Sequence, residues 1–372
     1  MSALDGIRVL DFSTLVPGPL AGLMLAEAGA DVIKVERPGT GDDMRGYEPR
    51  VGGTGIGFSL LNRGKRSLAL DLRDPDVIRW LLSFAAEVDI VIEQFRPGVM
   101  DRLELGYQAF CAVNPRIIYC SITGYGQEGP KHHVAGHDLS YLADVGLLDL
   151  SAGPDGTPSL PPTLIADIGA GSFPAVVNIL LALRTRDRTG EGCRLDISMT
   201  DNLFVFAFWA LAAGLGTGRW PVRGRELLTG GSPRYRVYRT ADGHFVAVAA
   251  LEDKFWHAFC QLIALPVELR DEARAPAATI AGVAQKIAAR PAAFWTEAFR
   301  DKDVCCSVVR TLDEALADPH FRQRGLFDDQ IVTPSGTLPA LPVSIAPAFR
   351  RKLPAAAAPV AGQDNELIRP QT

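Results

Sequence analysis

A chain of 372 residues, 47% hydrophobic and 22% charged, has the length for two cores and an ordinary soluble composition. Its formal net charge of −5 argues against a nucleic acid as the main partner, since that function needs a basic face. No apolar run reaches membrane-spanning length, with 204–211 reading as a buried helix, so no membrane association is expected. Residues 1–8 lack the basic and apolar regions of a secretory signal. Six scattered cysteines without CxxC spacing read as buried thiols of a reducing compartment, and the cytoplasm is the expected location.

Strand patterns at 7–12, 31–36, 67–72, 89–93 and 116–122 alternate with helical segments at 19–29 and 75–87. Short β-rich runs separated by helices predict βαβ units and a mostly parallel sheet covered on both faces. Ligands of such sheets gather beyond the carboxyl ends of the strands. The segments after strands two, four and five are Arg37-Pro38-Gly39, Gln94-Phe95-Arg96-Pro97-Gly98 and Thr123-Gly124-Tyr125-Gly126. Each joins a glycine turn to a cationic or aromatic side chain, and together they form a predicted ligand rim. Val16-Pro17-Gly18-Pro19 follows the first strand where a dinucleotide fold carries Gly-x-Gly-x-x-Gly, which disfavours nicotinamide and flavin; no P-loop occurs. Arg37, Arg45 and the run Asn62-Arg63-Gly64-Lys65-Arg66 suit phosphate, or equally a solvated basic turn.

Beyond Tyr125 a Gly/Pro-rich loop leads to a helix at 138–148, a loop at 151–162 and a long helix at 169–184. Ala135-Gly136-His137-Asp138 precedes the first helix, and Leu164-Ile165-Ala166-Asp167-Ile168-Gly169 the second. An imidazole and a carboxylate beside small residues can take a proton from one side of a carbon and return one to the other. Spacing alone allows a plainer reading, with Asp138 as a helix cap and His137 at the surface. Helix amino ends favour an ionised carboxylate and can steady an oxyanion, which supports chemistry at His137 and Asp167. Glu252, in Ala249-Ala250-Leu251-Glu252, is a third candidate. From about residue 225 the pattern changes to a hairpin, 235–240 and 244–249 around Ala241-Asp242-Gly243. Helices at 252–263, 280–290, 293–299 and 312–317 complete a smaller α/β domain, and 354–359 is a linker-like arm before a short helix at 363–368.

A set of segments in this order resembles the class III coenzyme A transferase superfamily, the CaiB/BaiF group that also holds the α-methylacyl-CoA racemases. They include Gly29-Ala30-Asp31-Val32-Ile33-Lys34-Val35-Glu36, Asn62-Arg63-Gly64-Lys65-Arg66-Ser67, Phe95-Arg96-Pro97-Gly98, Gly230-Gly231-Ser232-Pro233 and Asp318-Pro319-His320-Phe321. The resemblance implies an α/β fold: a Rossmann-like large domain at 1–224, a small domain at 225–330 and a return to the large domain at 331–372. It also implies that two chains interlock as rings in a homodimer. Asp167 matches the aspartate shared by both activities, the nucleophile of transferases and an acid/base of racemases. Gly136-His137-Asp138-Leu139-Ser140-Tyr141-Leu142 has the racemase form, and Glu252 matches the racemase acid that pairs with the histidine. Val16 replaces the glutamine of formyl-CoA transferases, whereas the segment 41–61 has the longer transferase form.

The family pattern thus implies epimerisation of 2-methyl-branched acyl-CoA thioesters, with CoA transfer through Asp167 as the alternative and a non-catalytic CoA-binding relative as a further one. No metal or redox cofactor is implied, because coenzyme A enters as part of the substrate. Its implied contacts are Arg37, Arg45, Lys65, Arg66, Leu72, Gln94, Phe95, Arg96, Arg102, Tyr125 and Asp138, with the phosphates assigned to Arg37, Lys65, Arg66 and Arg96. Asp167 must be protonated for half of a two-base cycle, which requires burial to raise its pKa.

Overall fold

The computed structural model describes residues 2–153, 155–351 and 355–368. The chain divides into two compact units, one of 1–145, 162–206 and 319–372, the other of 146–161 and 207–318. These bounds differ from the expected 225 and 330. The loop 146–161 belongs with the smaller unit because Leu150 O accepts the N–H of Gly224 at 3.2 Å and Asp149 pairs with Arg223.

In the large unit, β1 (Arg8–Asp11), β2 (Asp31–Glu36), β3 (Arg66–Ala69), β4 (Ile90–Glu93), β5 (Ile118–Thr123) and β6 (Cys193–Ser198) form one sheet. All neighbours are parallel, in the order β3-β2-β1-β4-β5-β6. This is the Rossmann order, and its direction reverses between β1 and β4, where the crevice of such sheets opens. Every residue of β4 and β5 is buried, as expected of strands covered on both faces. One face packs Leu10, Phe12, Ile33, Val35, Leu68 and Leu81 into a core completed by α2 (Pro75–Phe84). That helix starts on Pro75 with the Asp74 carboxylate accepting the N–H of Asp76, a standard cap. Helix α1 (Pro17–Glu27) is buried along its whole length and is apolar all round except at its last residue, Glu27, which pairs with Arg63. β6 was not expected. Its sequence alternates apolar and polar residues over 193–198, the pattern of a half-exposed edge strand.

Charges sit inside this unit as well. Lys65 Nζ, fully buried, donates to Asp11 Oδ2, Pro19 O and Asn62 Oδ1, each at 2.9 Å. Lys34 pairs with Asp42 at 2.9 Å and donates to Ser13 O at 2.7 Å. Gly22 of α1 is required here, because a Cβ would stand 2.9 Å from both Asp11 Oδ2 and Lys65 Nζ. Burial pushes the Asp11 carboxyl up, but Lys65 and Lys34 outweigh it and hold it below its ordinary value.

Residues beyond 318 add a second sheet to the large unit, β10 (Gln330–Thr333), β11 (Gly336–Pro339) and β12 (Ala355–Ala357), in the order β11-β10-β12. The following segment lies along the open side of β3. Asp364 accepts the N–H of Ser67 at 2.9 Å, and Asn365 Oδ1 accepts that of Ala69 at 2.9 Å. The expected helix at 363–368 is a single 3₁₀ turn, Asn365–Ile368, while Pro354 of the expected linker-like arm lies outside the described residues.

The smaller unit holds an antiparallel sheet of β7 (Tyr235–Arg239), β8 (Phe245–Ala249) and β9 (Cys306–Val308). Helices α5 (Asp253–Leu262), α6 (Pro276–Ala288) and α7 (Ala292–Phe299) cover it, with Trp256, Phe259, Ile287 and Trp295 in the core. Cys305 is exposed, against the expectation of uniformly buried thiols.

Two helical stretches, Ile165–Thr189 and Met199–Thr217, are long and apolar enough to cross a membrane by composition, contrary to the run-length reading. The first buries Ala175, Val176, Ile179 and Leu183 in the fold, a use of apolar residues that needs no lipid.

Lys65→Met leaves Asp11 buried beside an apolar chain and is expected to cost about 3–5 kcal/mol in urea unfolding. Adding Asp11→Leu should restore more than half of that loss, because the uncompensated charge then disappears.

Candidate active site

The site is built where β5 runs out. Gly124 O accepts both the N–H and the hydroxyl of Thr200, at 3.0 and 2.8 Å, which fixes the start of the loop leading to α3 (Asp138–Asp144). That helix ends four residues before the expected 148. His137 caps it with its backbone: its N–H donates to Ser140 Oγ at 2.9 Å, and Ser140 Oγ donates to His137 O at 2.7 Å. The residue is exposed, so the imidazole is open to a ligand. Tyr141 OH donates to Gly136 O at 2.7 Å, and a Cβ on Gly124 or Gly136 would collide with the Tyr141 ring. Small residues beside the histidine thus serve close packing of a tyrosine.

Asp167 lies within a π-helical segment, Ile165–Ser172, and the regular helix α4 begins only at Phe173 and runs to Thr189. The expected helix at 169–184 therefore starts later. Pro174 explains the widening, since it has no N–H for the carbonyl four residues back and its ring crowds that group. The stranded carbonyl, Ala170 O, accepts instead from Asn202 Nδ2 at 2.9 Å. Ser172 Oγ is shared by Pro17 O at 2.8 Å and Asp167 O at 3.1 Å, and Phe173 N–H reaches Ile168 O five residues back. π-Turns of this kind concentrate at functional positions.

Asp138 joins the two pieces. It is 7% exposed, and its Oδ1 accepts the N–H of Asp167 at 2.9 Å. The Asp167 N–H is thereby spoken for, so it is not a donor for an oxyanion. Burial, then the neighbouring Asp138 charge, pushes the Asp167 carboxyl up to about 6, with His137 pulling the other way. Tyr141 is pushed to about 12 by burial and by Asp167, against Arg96. His137, Asp138, Tyr141, Asp167 and Arg96 thus share one electrostatic neighbourhood. Glu252 is an exposed residue of the smaller unit just before α5, its carbonyl accepting the N–H groups of Phe255 and Trp256.

A cavity of about 630 Å³ opens at the carboxyl ends of β1 to β3, near the switch between β1 and β4, and is lined by Ser13, Arg37, Thr40, Leu72, Arg73 and Phe95 among others. Arg37, Leu72 and Phe95 were expected CoA contacts. Thr40 and Arg73 were missed, although Arg73 directly follows the third predicted strand, whose end was left out of the rim along with that of the first.

The other expected contacts lie elsewhere. Lys65 cannot meet a phosphate, because its ammonium is buried on three acceptors. Arg45 grips Glu36 through two nitrogens at 2.6 and 2.7 Å and stacks over Phe58, and Arg66 pairs with Asp31 and Asp364. Gln94 accepts the Gly18 N–H at 3.0 Å, while Tyr125 OH donates to Asp144 at 2.7 Å. Arg96 and Arg102 are exposed outside the cavity wall. Among the described residues no group of three His, Cys, Asp or Glu side chains is placed to hold a metal.

The raised Asp167 value has a stability consequence. Ionisation weakens the folded state above pH 6, and the penalty vanishes below the ordinary value of 3.8. Asp167→Asn should therefore unfold at higher urea at about pH 7.5, by about 1–3 kcal/mol, with no gain at about pH 4.

Comparison with known proteins gives the same frame. The family described as CoA-transferase family III matches residues 4–365. Alpha-methylacyl-CoA racemase of Homo sapiens is 35% identical over 376 residues, covering 98% of this chain and 92% of that protein. Acetyl-CoA:oxalate CoA-transferase of Acetobacter aceti is 33% identical over 350 residues, covering 92% and 88%. A CAIB/BAIF family protein from Brucella suis has a crystal structure that superposes with a TM-score of 0.83 at 30% identity, covering 99% and 98%. A Rossmann-ordered sheet, a cavity at its switch point and matches along nearly the whole chain lead to one assignment: this protein belongs to CoA-transferase family III.

Proposed function

We propose that the protein epimerises 2-methyl-branched acyl-CoA thioesters by transferring protons on both faces of one carbon. What carries this reading is geometry: an exposed imidazole, His137, next to Asp138, whose Oδ1 accepts the N–H of Asp167, while burial and the Asp138 charge push the Asp167 carboxyl up to about 6. A thioester acidifies the α-hydrogen. His137 removes it from one face while protonated Asp167 delivers a proton to the other, and the roles reverse for the opposite enantiomer. A carboxyl of ordinary pKa would be a poor acid in this cycle, because too little of it is protonated at neutral pH. CoA is proposed to occupy the 630 Å³ cavity, with Arg37 and Arg73 at its phosphates and Phe95 along its body.

The second reading, CoA transfer with Asp167 as nucleophile, is favoured by the transferase relatives at similar identity. It needs no imidazole. A homodimer is also proposed, since Val177, Leu180 and Leu181 on α4 and Val205 beyond it stay exposed in one copy.

A chiral 2-methylacyl-CoA incubated with the protein in deuterium oxide should gain α-deuterium and lose optical purity. His137→Ala should slow exchange by about 10²–10⁴-fold in the direction where the histidine is the base. Unchanged exchange in that variant defeats the two-base reading. Absence of exchange together with inactivation by hydroxylamine during turnover supports the transferase instead.

A further inference from the structure

β4 ends on Glu93, which is 4% exposed and pairs in register with Ser121 of β5. Its Oε2 accepts the N–H of Phe95 at 2.8 Å, and its carboxyl also hydrogen-bonds Ser121. The loop that follows, 94–98, reaches the site in two directions. Gln94 Oε1 accepts the Gly18 N–H at 3.0 Å at the start of α1, and Phe95 forms part of the wall of the larger cavity. Behind the loop lies a second, polar cavity of about 60 Å³ that Glu93 lines together with Arg96, Asp101, Tyr107, Gln127 and Arg194. Gln127 Oε1 accepts from Arg194 at 3.2 Å, while its Nε2 is buried with no partner among the described residues. The proposed proton transfers use none of these groups.

We infer that Glu93 is a positioning residue for the CoA thioester: held between the Phe95 N–H and Ser121, it seats the 94–98 loop against both α1 and the larger cavity. The inference rests on the reading of that cavity as the CoA site. Other charged or titratable groups come close to Glu93 from β5, from β6 and from the chain after the loop. Tyr119 and Cys120 stand on β5, Arg194 on β6, Asp101 after the loop, and Arg96 and Tyr107 across the small cavity. Burial outweighs the two hydrogen bonds and Arg194, and pushes the carboxyl up to about 7.

The direction of the pH effect follows. A carboxyl whose value is higher when packed than when solvated favours the packed arrangement while protonated and opposes it once ionised. The loop is therefore seated firmly below pH 7 and loosens as the pH rises, when water can enter the polar cavity to solvate the charge. A side chain that only stabilised the fold would make unfolding pH-dependent but not the CoA affinity of the folded protein.

Calorimetric titration of the full chain with CoA between about pH 6 and 8.5 tests this, with Glu93→Gln as the uncharged variant of the same shape. The wild-type Kd should rise at least fivefold more across that range than the Kd of Glu93→Gln. The variant keeps the titration of CoA, whose phosphate ionises at about 6, and of the protein's other groups, which wild type shares. Glu93→Ala, which deletes both hydrogen bonds, should bind CoA about tenfold more weakly at every pH; should it fail to fold, the glutamine comparison decides alone. The inference is overturned if wild type and Glu93→Gln both bind CoA with the same pH curve. Failure of the wild type to bind CoA at any pH overturns the reading of the cavity and the inference with it, a result distinct from the first.

Discussion

Two lysines and two aspartates sealed beneath the carboxyl ends of the strands hold the binding end of the sheet in shape. Each buried ion costs several kcal/mol in lost hydration unless its partners are close and its hydrogen bonds complete. Lys65 meets that condition with three acceptors for its three protons, drawn from β1, α1 and the residue that closes Ile56–Asn62. Lys34 ties β2 to Asp42 and Ser13. Ser13, Lys34 and Asp42 all line the larger cavity, so its wall is anchored from behind by charges that cannot relax without exposing one another. Rigidity of this kind lowers the ordering cost of binding a long, flexible ligand.

The setting of Asp167 depends on a different constraint, a proline at the second position of α4. Pro174 forbids a regular start, the segment widens, and the freed carbonyls find Asn202 and Ser172. The outcome is a carboxyl that is half-buried and faces a like charge. The surrounding hydrogen bonds, from Asp167 N–H to Asp138, from Ser172 Oγ to Asp167 O and from Asn202 to Ala170 O, hold this arrangement in place.

Much of the sheet was legible in the sequence. Five strands came from short β-branched runs, because strands buried on both faces are mostly apolar, with the buried Asp11, Lys34, Glu36 and Glu93 as exceptions. β6 escaped because an edge strand shows only alternation, and here it follows α4 after a two-glycine turn, Gly190-Glu191-Gly192. The neighbourhood of His137 and Asp167 was also legible, through their place ahead of two helices. The burial of Lys65 was not. A basic run reads as solvated or phosphate-binding, and nothing local reveals that Lys65 turns inward toward an aspartate 54 residues earlier. The counterpart of an inward cation is the glycine opposite it, Gly22, and a glycine inside a small-residue helix looks unremarkable in isolation.

The side chains that close the open rim of β3 have a kinetic consequence. Ser67 waits for Asp364, 297 residues later in the chain. The sheet is complete only once Ser198 is made, 166 residues before Asp364; at about 5–20 residues per second that leaves roughly 8–33 s during which the amide row of the formed sheet stays open. The nascent protein is thus most vulnerable to sticking to its neighbours after most of its large unit exists, and that hazard ends only with the arrival of a few polar residues from the far end.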